Sequence, residues 1–239
     1  MSSLLALALL TPFPATAPEP PGVGVVFVIG GVGGLDPLFP SAAWALPKAG
    51  VSHEIRDFRW TYGTGAVLRD LQDARRLHDK AAELAALVCE YRAAHPDRPV
   101  YLLGHSGGAG LALAAAEMLP PATLERVVLL SAAVSPGYDL TPALRATRCE
   151  IVSFHSGMDR FVLGWGTSQF GTVDRVYGPS AGRTGFVVPE DLGEEGKAAY
   201  ARLVQVPWRP ELLLEANVGG HQATTRPDFL ARYVAPWLK

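Results

Sequence analysis

The sequence predicts an α/β fold: a doubly wound, mostly parallel sheet of about six strands with helices on both faces. Three observations predict it. Val23 to Ile29 and Val100 to Leu103 are continuous β-branched and apolar runs, the pattern of strands buried on both faces. Strand-like and helix-like stretches alternate along the chain, as parallel sheets with crossover helices require. The 239 residues, 49% hydrophobic and 18% charged, supply enough apolar material for one large core.

Taken in order, Val23 to Ile29 is the first strand, ended by Gly30-Gly31-Val32-Gly33-Gly34. A short helix follows near Ser41 to Ala49, then a strand over Val51 to Phe58. Residues 69–94 carry the longest helical pattern, with Leu77, Ala81, Leu84, Val88 and Tyr91 on one stripe and His95-Pro96 as the stop. Val100 to Leu103 is the third strand. The small-residue helix after it runs to about Leu119, where Pro120-Pro121 breaks it. Arg126 to Ser131 is the fourth strand, Pro142 to Ala146 a short helix, and Glu150 to His155 the fifth strand. Leu212 to Ala216 is expected as the sixth, and Pro227 to Leu238 as the final helix. More than fifty residues would then separate strands five and six, too many for a plain crossover. This segment holds Trp165, Phe170, Tyr177, Phe186, Tyr200 and Trp208, with a helix near Glu194 to Val204. It reads equally as a flap beside a site and as a packed structural excursion.

Residues 1–21 stand apart from the folded domain, 22–239. Leu4 to Leu10 is a short apolar run, Ala15-Thr16-Ala17 is a small-residue cleavage pattern, and a Pro-rich tether follows. The segment reads as a signal peptide for secretion or the periplasm, or as the leader of a cytoplasmic protein. The missing Lys or Arg at the start and Pro18 after the cut count for the second reading. The run is too short to span a bilayer, and no later stretch reads as a transmembrane helix.

Net charge is -2, which excludes the basic excess of a nucleic-acid binder. Arg69, Arg75, Arg76 and Lys80 alternate with Asp70, Asp73, Asp79 and Glu83 and read as a solvated helix face. Cys89 and Cys149 form no metal or redox motif; both are expected as buried free thiols, with a single disulfide as the alternative in an exported protein. No histidine cluster has metal-ligand spacing, and no cofactor is expected. No Gly-Lys-Ser/Thr follows the glycine-rich loop, so nucleotide binding is not expected either.

The chemistry sits at Gly104-His105-Ser106-Gly107-Gly108, which fits G-x-S-x-G. A strand precedes it and a small-residue helix, Ala109 onward, follows it. A sharp strand-to-helix turn strains the serine backbone, while Gly104 and Gly108 let neighbouring backbone come close. The helix N-terminus presents amides toward developing negative charge.

On these residues the chain resembles the α/β-hydrolase superfamily over about residues 22–239. The resemblance implies a nucleophilic serine, then an acid, then a histidine. The matching positions are Ser106, Asp159 after the fifth strand, and His221 after the sixth; Asp139 and Asp174 compete for the acid. Ser106 would attack an acyl carbon, His221 would take its proton, and Asp159 would fix the imidazole. One oxyanion donor would be the Gly107 amide. The other would come from the glycine-rich loop, Val32 by resemblance, with Gly31 and Gly33 as neighbours. Many relatives carry a histidine in that loop, and this chain has none. His53, His78 and His95 read as structural or solvated; His105 is expected to pack beneath the nucleophile, and His155 to be structural. Only about twenty residues separate strands four and five, so the lid that many relatives insert there is not expected. The expected function is a serine hydrolase for small or medium acyl substrates. The alternatives are an acyltransferase or thioesterase on the same fold, and a non-catalytic binding module. The oligomeric state is left open.

Overall fold

A computed structural model describes residues 23–239; the leader, its cleavage pattern and the tether lie outside the described residues. Six parallel strands form one sheet: β1 (Val25–Ile29), β2 (Glu54–Asp57), β3 (Val100–His105), β4 (Arg126–Leu130), β5 (Ile151–His155) and β6 (Leu203–Pro207). Their order is β2-β1-β3-β4-β5-β6. The four central strands, β1, β3, β4 and β5, are almost wholly buried. Side chains alternate across a strand, so each strand feeds two cores. Phe27, Ile29, Leu102 and Leu129 face one side; Val26, Val28, Leu103, Leu130 and Phe154 face the other. Each fully buried Val, Leu, Ile or Phe contributes about 1.5–3 kcal/mol.

Helices α1 (Leu38–Lys48), α2 (Val67–Gln72), α3 (Ala74–Ala94), α4 (Gly107–Glu117) and α5 (Thr141–Ala146) follow the strands. Ala81, Leu84, Val88 and Tyr91 of α3, the small residues of α4, and Ala143 and Leu144 of α5 cover the first face. Leu38, Ala42, Ala45 and Leu46 of α1 cover the second, together with the C-terminal segment. That segment starts as an α-turn, Pro227–Phe229, widens over Leu230–Val234 and tightens over Ala235–Leu238. Helices on both faces of the six-stranded parallel sheet are as expected. Register sets the functional edge: Ile29 lies beside Gly104, and Gly104 beside Leu129, so β1, β3 and β4 end level with one another.

Four expectations change. The sixth strand is Leu203–Pro207, not Leu212 to Ala216. Residues Pro210–Glu215 form a 3-10 turn in which Leu212 packs against the second core while Leu213 and Leu214 are exposed, so the run has no strand-like alternation to pair in the sheet. The helix expected over Glu194 to Val204 ends at Tyr200, because Leu203 and Val204 pair with β5. The long helical pattern is two helices: the Asp73 side chain accepts from the Arg76 amide and starts α3 afresh. Cys89 is exposed rather than buried, while Cys149 is half-buried with its thiol on Glu125; among the described residues both are free.

The β5–β6 connection contains short helices α6 (Thr167–Phe170), α7 (Ala181–Thr184) and α8 (Glu194–Tyr200). Val173, Ala181, Phe186 and Tyr200 from this segment are buried in the first core, whereas Phe161, Trp165, Phe170 and Tyr177 are exposed. The excursion is thus packed structure at its base and an open apolar rim at its top. Among the described residues, no helix is long and apolar enough to cross a membrane.

Candidate active site

Ser106 stands where β3 turns into α4, with φ 54 and ψ -122. A non-glycine residue there carries strain of about 1–3 kcal/mol and persists only when its surroundings fix it. Here they do. The Ser106 amide donates to the Leu130 carbonyl at 2.9 Å, and its own carbonyl accepts from Ala109 and Ala133, each at 3.1 Å. The turn also needs two close approaches. A Cβ on Gly108 would lie 2.3 Å from the carbonyl oxygens of both Ile29 and Gly30, and one on Gly104 would lie 2.7 Å from the Ala109 Cα.

The loop after β1 lies against this turn. A Cβ on Gly31 would come within 3.1 Å of the Ser106 Cβ, and Val32 Cγ1 would meet a Cβ on Gly107 at 2.7 Å. Two carboxylates hold the loop. Asp36 takes the Gly31 amide; Asp70, 3% exposed, takes the Gly33 amide at 2.8 Å and the Tyr62 amide at 2.8 Å. The Trp60 indole donates to the Gly30 carbonyl at 2.8 Å. The amides of Val32 and Gly107 have no acceptor among the described residues.

Asp159 and His221 meet on the other side. Residues 217–221 form a loop in which the Trp208 indole donates to the Asn217 carbonyl and Asn217 Oδ1 accepts from the Gly219 amide. Gly219 has φ +72, and a Cβ there would come within 2.6 Å of Ser156 Oγ and 3.0 Å of the Met158 Cβ. Only glycine lets this loop close on the Ser156–Met158 turn that carries Asp159. The outcome is a 2.6 Å bond from His221 Nδ1 to Asp159 Oδ2, while Oδ1 accepts from the Leu163 amide at 3.2 Å. Burial pushes the His221 imidazole below its ordinary range, and the nearby His105 pushes the same way; the Asp159 bond opposes both. A neutral ring with its Nδ1 proton fixed on a carboxylate has Nε2 available to accept a proton.

His105 joins the two sides. It is Ser106's chain neighbour, and its ring lies 4.8 Å, centroid to centroid, from that of His221. Ser106 Oγ and His221 Nε2 make no hydrogen bond to each other, a gap common before substrate binds. The competing acids lie elsewhere: Asp139 caps the Thr141 amide and Asp174 holds the Ser135 amide. His53 is buried on the Gly24 amide, His78 is exposed, and His95 ends α3. His155 is half-buried, and its Nδ1 has no partner among the described residues. No group of three His, Cys, Asp or Glu among them could hold a metal ion.

Residues 22–162, more than half of the chain, match the family model of the serine aminopeptidases, S33. The chain belongs to this S33 family, within the α/β-hydrolase superfamily. No curated protein matches. Among solved structures, it is similar to a predicted CIB-like hydrolase from Thermoplasma acidophilum, at 12% identity, TM-score 0.50, and coverage of 92% of this chain and 88% of that one. A protein assigned to the α/β superfamily of hydrolases, from Xanthomonas campestris pv. campestris, is similar at 20% identity, TM-score 0.49, and coverage of 91% and 98%. The Thermoplasma likeness bears on the fold alone. As an S33 member, the chain is assigned to a family of hydrolases.

Asp36, Asp70 and Trp60 were not candidates from sequence, yet they hold the loop beside Ser106. Asp36 had a signal: it is the sole carboxylate between residues 22 and 53, next to the glycine run. Asp70 was masked by the charges around it. That cluster is more than a solvated face, since the Arg76 guanidinium donates to the Trp60 carbonyl at 2.9 Å.

Proposed function

We propose that this S33-family protein is a serine hydrolase that cleaves carboxylic ester or related acyl bonds through an acyl-enzyme. The observation that carries the reading is the 2.6 Å bond of His221 to Asp159, on a loop tied through His105 to the strained Ser106 turn. His221 Nε2 takes the Ser106 proton as Oγ attacks the acyl carbon. The amides of Val32 and Gly107 receive the negative charge on the acyl oxygen. The intermediate collapses, and the leaving alcohol departs with the proton held by His221. Water, giving its proton to His221, then attacks the acyl group, and the acid leaves as Ser106 regains its hydrogen.

The family's name offers a second reading, release of an N-terminal amino acid. That chemistry calls for an anion to receive the substrate ammonium. Asp36 and Asp159 are each engaged by a histidine, and Leu35, Met158, Phe161, Trp165 and Val218, exposed on the flanking segments, are apolar. These features favour an acyl ester. A fluorophosphonate probe should label the protein, and Ser106→Ala should abolish labelling while leaving the protein folded. Short and medium p-nitrophenyl esters should turn over faster than long ones and faster than aminoacyl nitroanilides. Folded wild-type protein that takes no label would overturn the reading in favour of a binding module. A competing alcohol that captures most of the acyl group would make it an acyltransferase.

A further inference from the structure

We propose that Asp36 and His105 form a buried ion pair whose cation grips the main chain of His221, making both of them positioning residues for that base. The proposal rests on the reading of His221 given above.

The His105 side chain is 0% exposed and that of Asp36 is 7% exposed. His105 Nδ1 lies 2.5 Å from Asp36 Oδ2, and Nε2 lies 3.1 Å from the backbone carbonyl oxygen of His221. A carbonyl oxygen only accepts, and an ionised carboxylate only accepts. Asp36 also takes the Leu38 amide at 2.9 Å and the Gly31 amide. Burial pushes its carboxyl up, but the His105 bond and charge and the two amides outweigh this and hold it below its ordinary value. With acceptors at both ends, the ring satisfies both only by carrying a proton on each nitrogen. A neutral ring would leave a lone pair facing an oxygen at one end. His105 is therefore an imidazolium, paired with Asp36.

Burying a charge is costly unless it is paired and hydrogen-bonded, and a serine, a histidine and one acid do not call for a second pair. Its placement gives it a task. One bond joins the backbone of His221 to the residue immediately before Ser106, so a single ring sets the spacing of nucleophile and base. Asp36 in turn holds Gly31, where a Cβ would strike Asp36 Oδ2 at 2.7 Å and Ser106 Cβ at 3.1 Å. The charged groups facing His221 are Asp159 on its own side of the site and His105 with Asp36 from β3 and the β1 loop. The His105 cation opposes a proton on His221, and Asp36, behind it, offsets this only partly.

The test is 15N-edited NMR of the histidine rings in the full-length protein at neutral pH. His105 should show both nitrogens protonated. In Asp36→Asn, one of these protons should be lost and the His221 signals should move. That variant should lose up to about 100-fold in kcat on a p-nitrophenyl ester, as a misplaced base does, with KM little changed. Its kcat/KM acid limb should move to higher pH, because the cation that opposed His221 protonation has gone. His105→Gln keeps an N–H donor without the charge; it should recover most of kcat yet show the same shift. A singly protonated His105 in folded wild-type protein overturns the inference, and this spectrum needs no variant to fold. Absence of fluorophosphonate labelling beside a doubly protonated His105 would instead sink the hydrolase reading, and the positioning role with it.

Discussion

The two sides of the site are built by different means. Ser106 rests on regular structure: three strands ending level, a helix N-terminus, and glycines that let backbones touch. Asp159 and His221 rest on irregular chain, held by side-chain bonds from Trp208, Asn217 and Asp159 itself. The nucleophile side is fixed by the core and should move only if the core moves. The base side is fixed locally, so it can be disturbed while the fold survives. Local fixing also leaves room for the small closure that would bring His221 Nε2 onto Ser106 Oγ when substrate arrives.

The largest test of this contrast is Asp159→Asn. An amide in place of the carboxylate no longer holds the His221 proton on Nδ1, so the ring loses the tautomer the chemistry needs. On the proposed mechanism, kcat should fall about 10⁴-fold, while the melting temperature changes by only a few degrees. Steady-state kinetics on a short ester beside a thermal melt would check it. A full collapse of the fold would show that the base side is as deeply built in as the nucleophile side.

The same contrast explains what was legible in the sequence. The four central strands and Ser106 follow from apolar runs and a short motif, both local in sequence. Asp159 and His221 were named through the family resemblance, by their order after Ser106, although His221 follows a 3-10 turn rather than a strand. The error at β6 has a physical source: Leu212 to Leu214 is as apolar as a strand, and only the packed structure shows that Leu213 and Leu214 face outward. Asp36, Asp70 and His105 were illegible as a set because their partners lie 37 to 116 residues away. Nothing in a local pattern records which of many carboxylates will be buried against a glycine amide.

Two glycine substitutions set the two sides against each other. In Gly108→Ala the new methyl would strike two backbone carbonyls at 2.3 Å, and neither can rotate away. The start of α4 must separate from β1, which should cost at least about 4 kcal/mol, or roughly 8–16 °C in melting temperature. In Gly219→Ala the nearest atom is the rotatable Ser156 hydroxyl, and the positive φ costs about 1–2 kcal/mol. There the melt should fall by only about 2–8 °C, while kcat drops up to about 100-fold as His221 shifts. Equal effects on stability would break the distinction between the two sides.

The smallest effect concerns pH. Burial, with the nearby His105 acting in the same direction, holds His221 below its ordinary value near 6.5 in the folded protein. On the proposed mechanism His221 works only when neutral, so kcat/KM should rise with pH through this lowered value and level off at a lower pH than an unperturbed imidazole would give. Folding stability changes in the same window. Between the folded value and 6.5 the unfolded chain binds the proton and the folded chain does not. Stability therefore rises with pH across that window, levels off above about 6.5, and is lost as pH falls toward the folded value. His53 and His155, both also pushed down by burial, add to this loss. Melting temperatures taken every half unit between pH 5 and 8 should fall on the acid side, and the rate profile should fall with them. An acid limb in kcat/KM well above 6.5 would mean that Asp159 outweighs burial. The His221 loop would then be more open to water than its packing against the Ser156 turn implies.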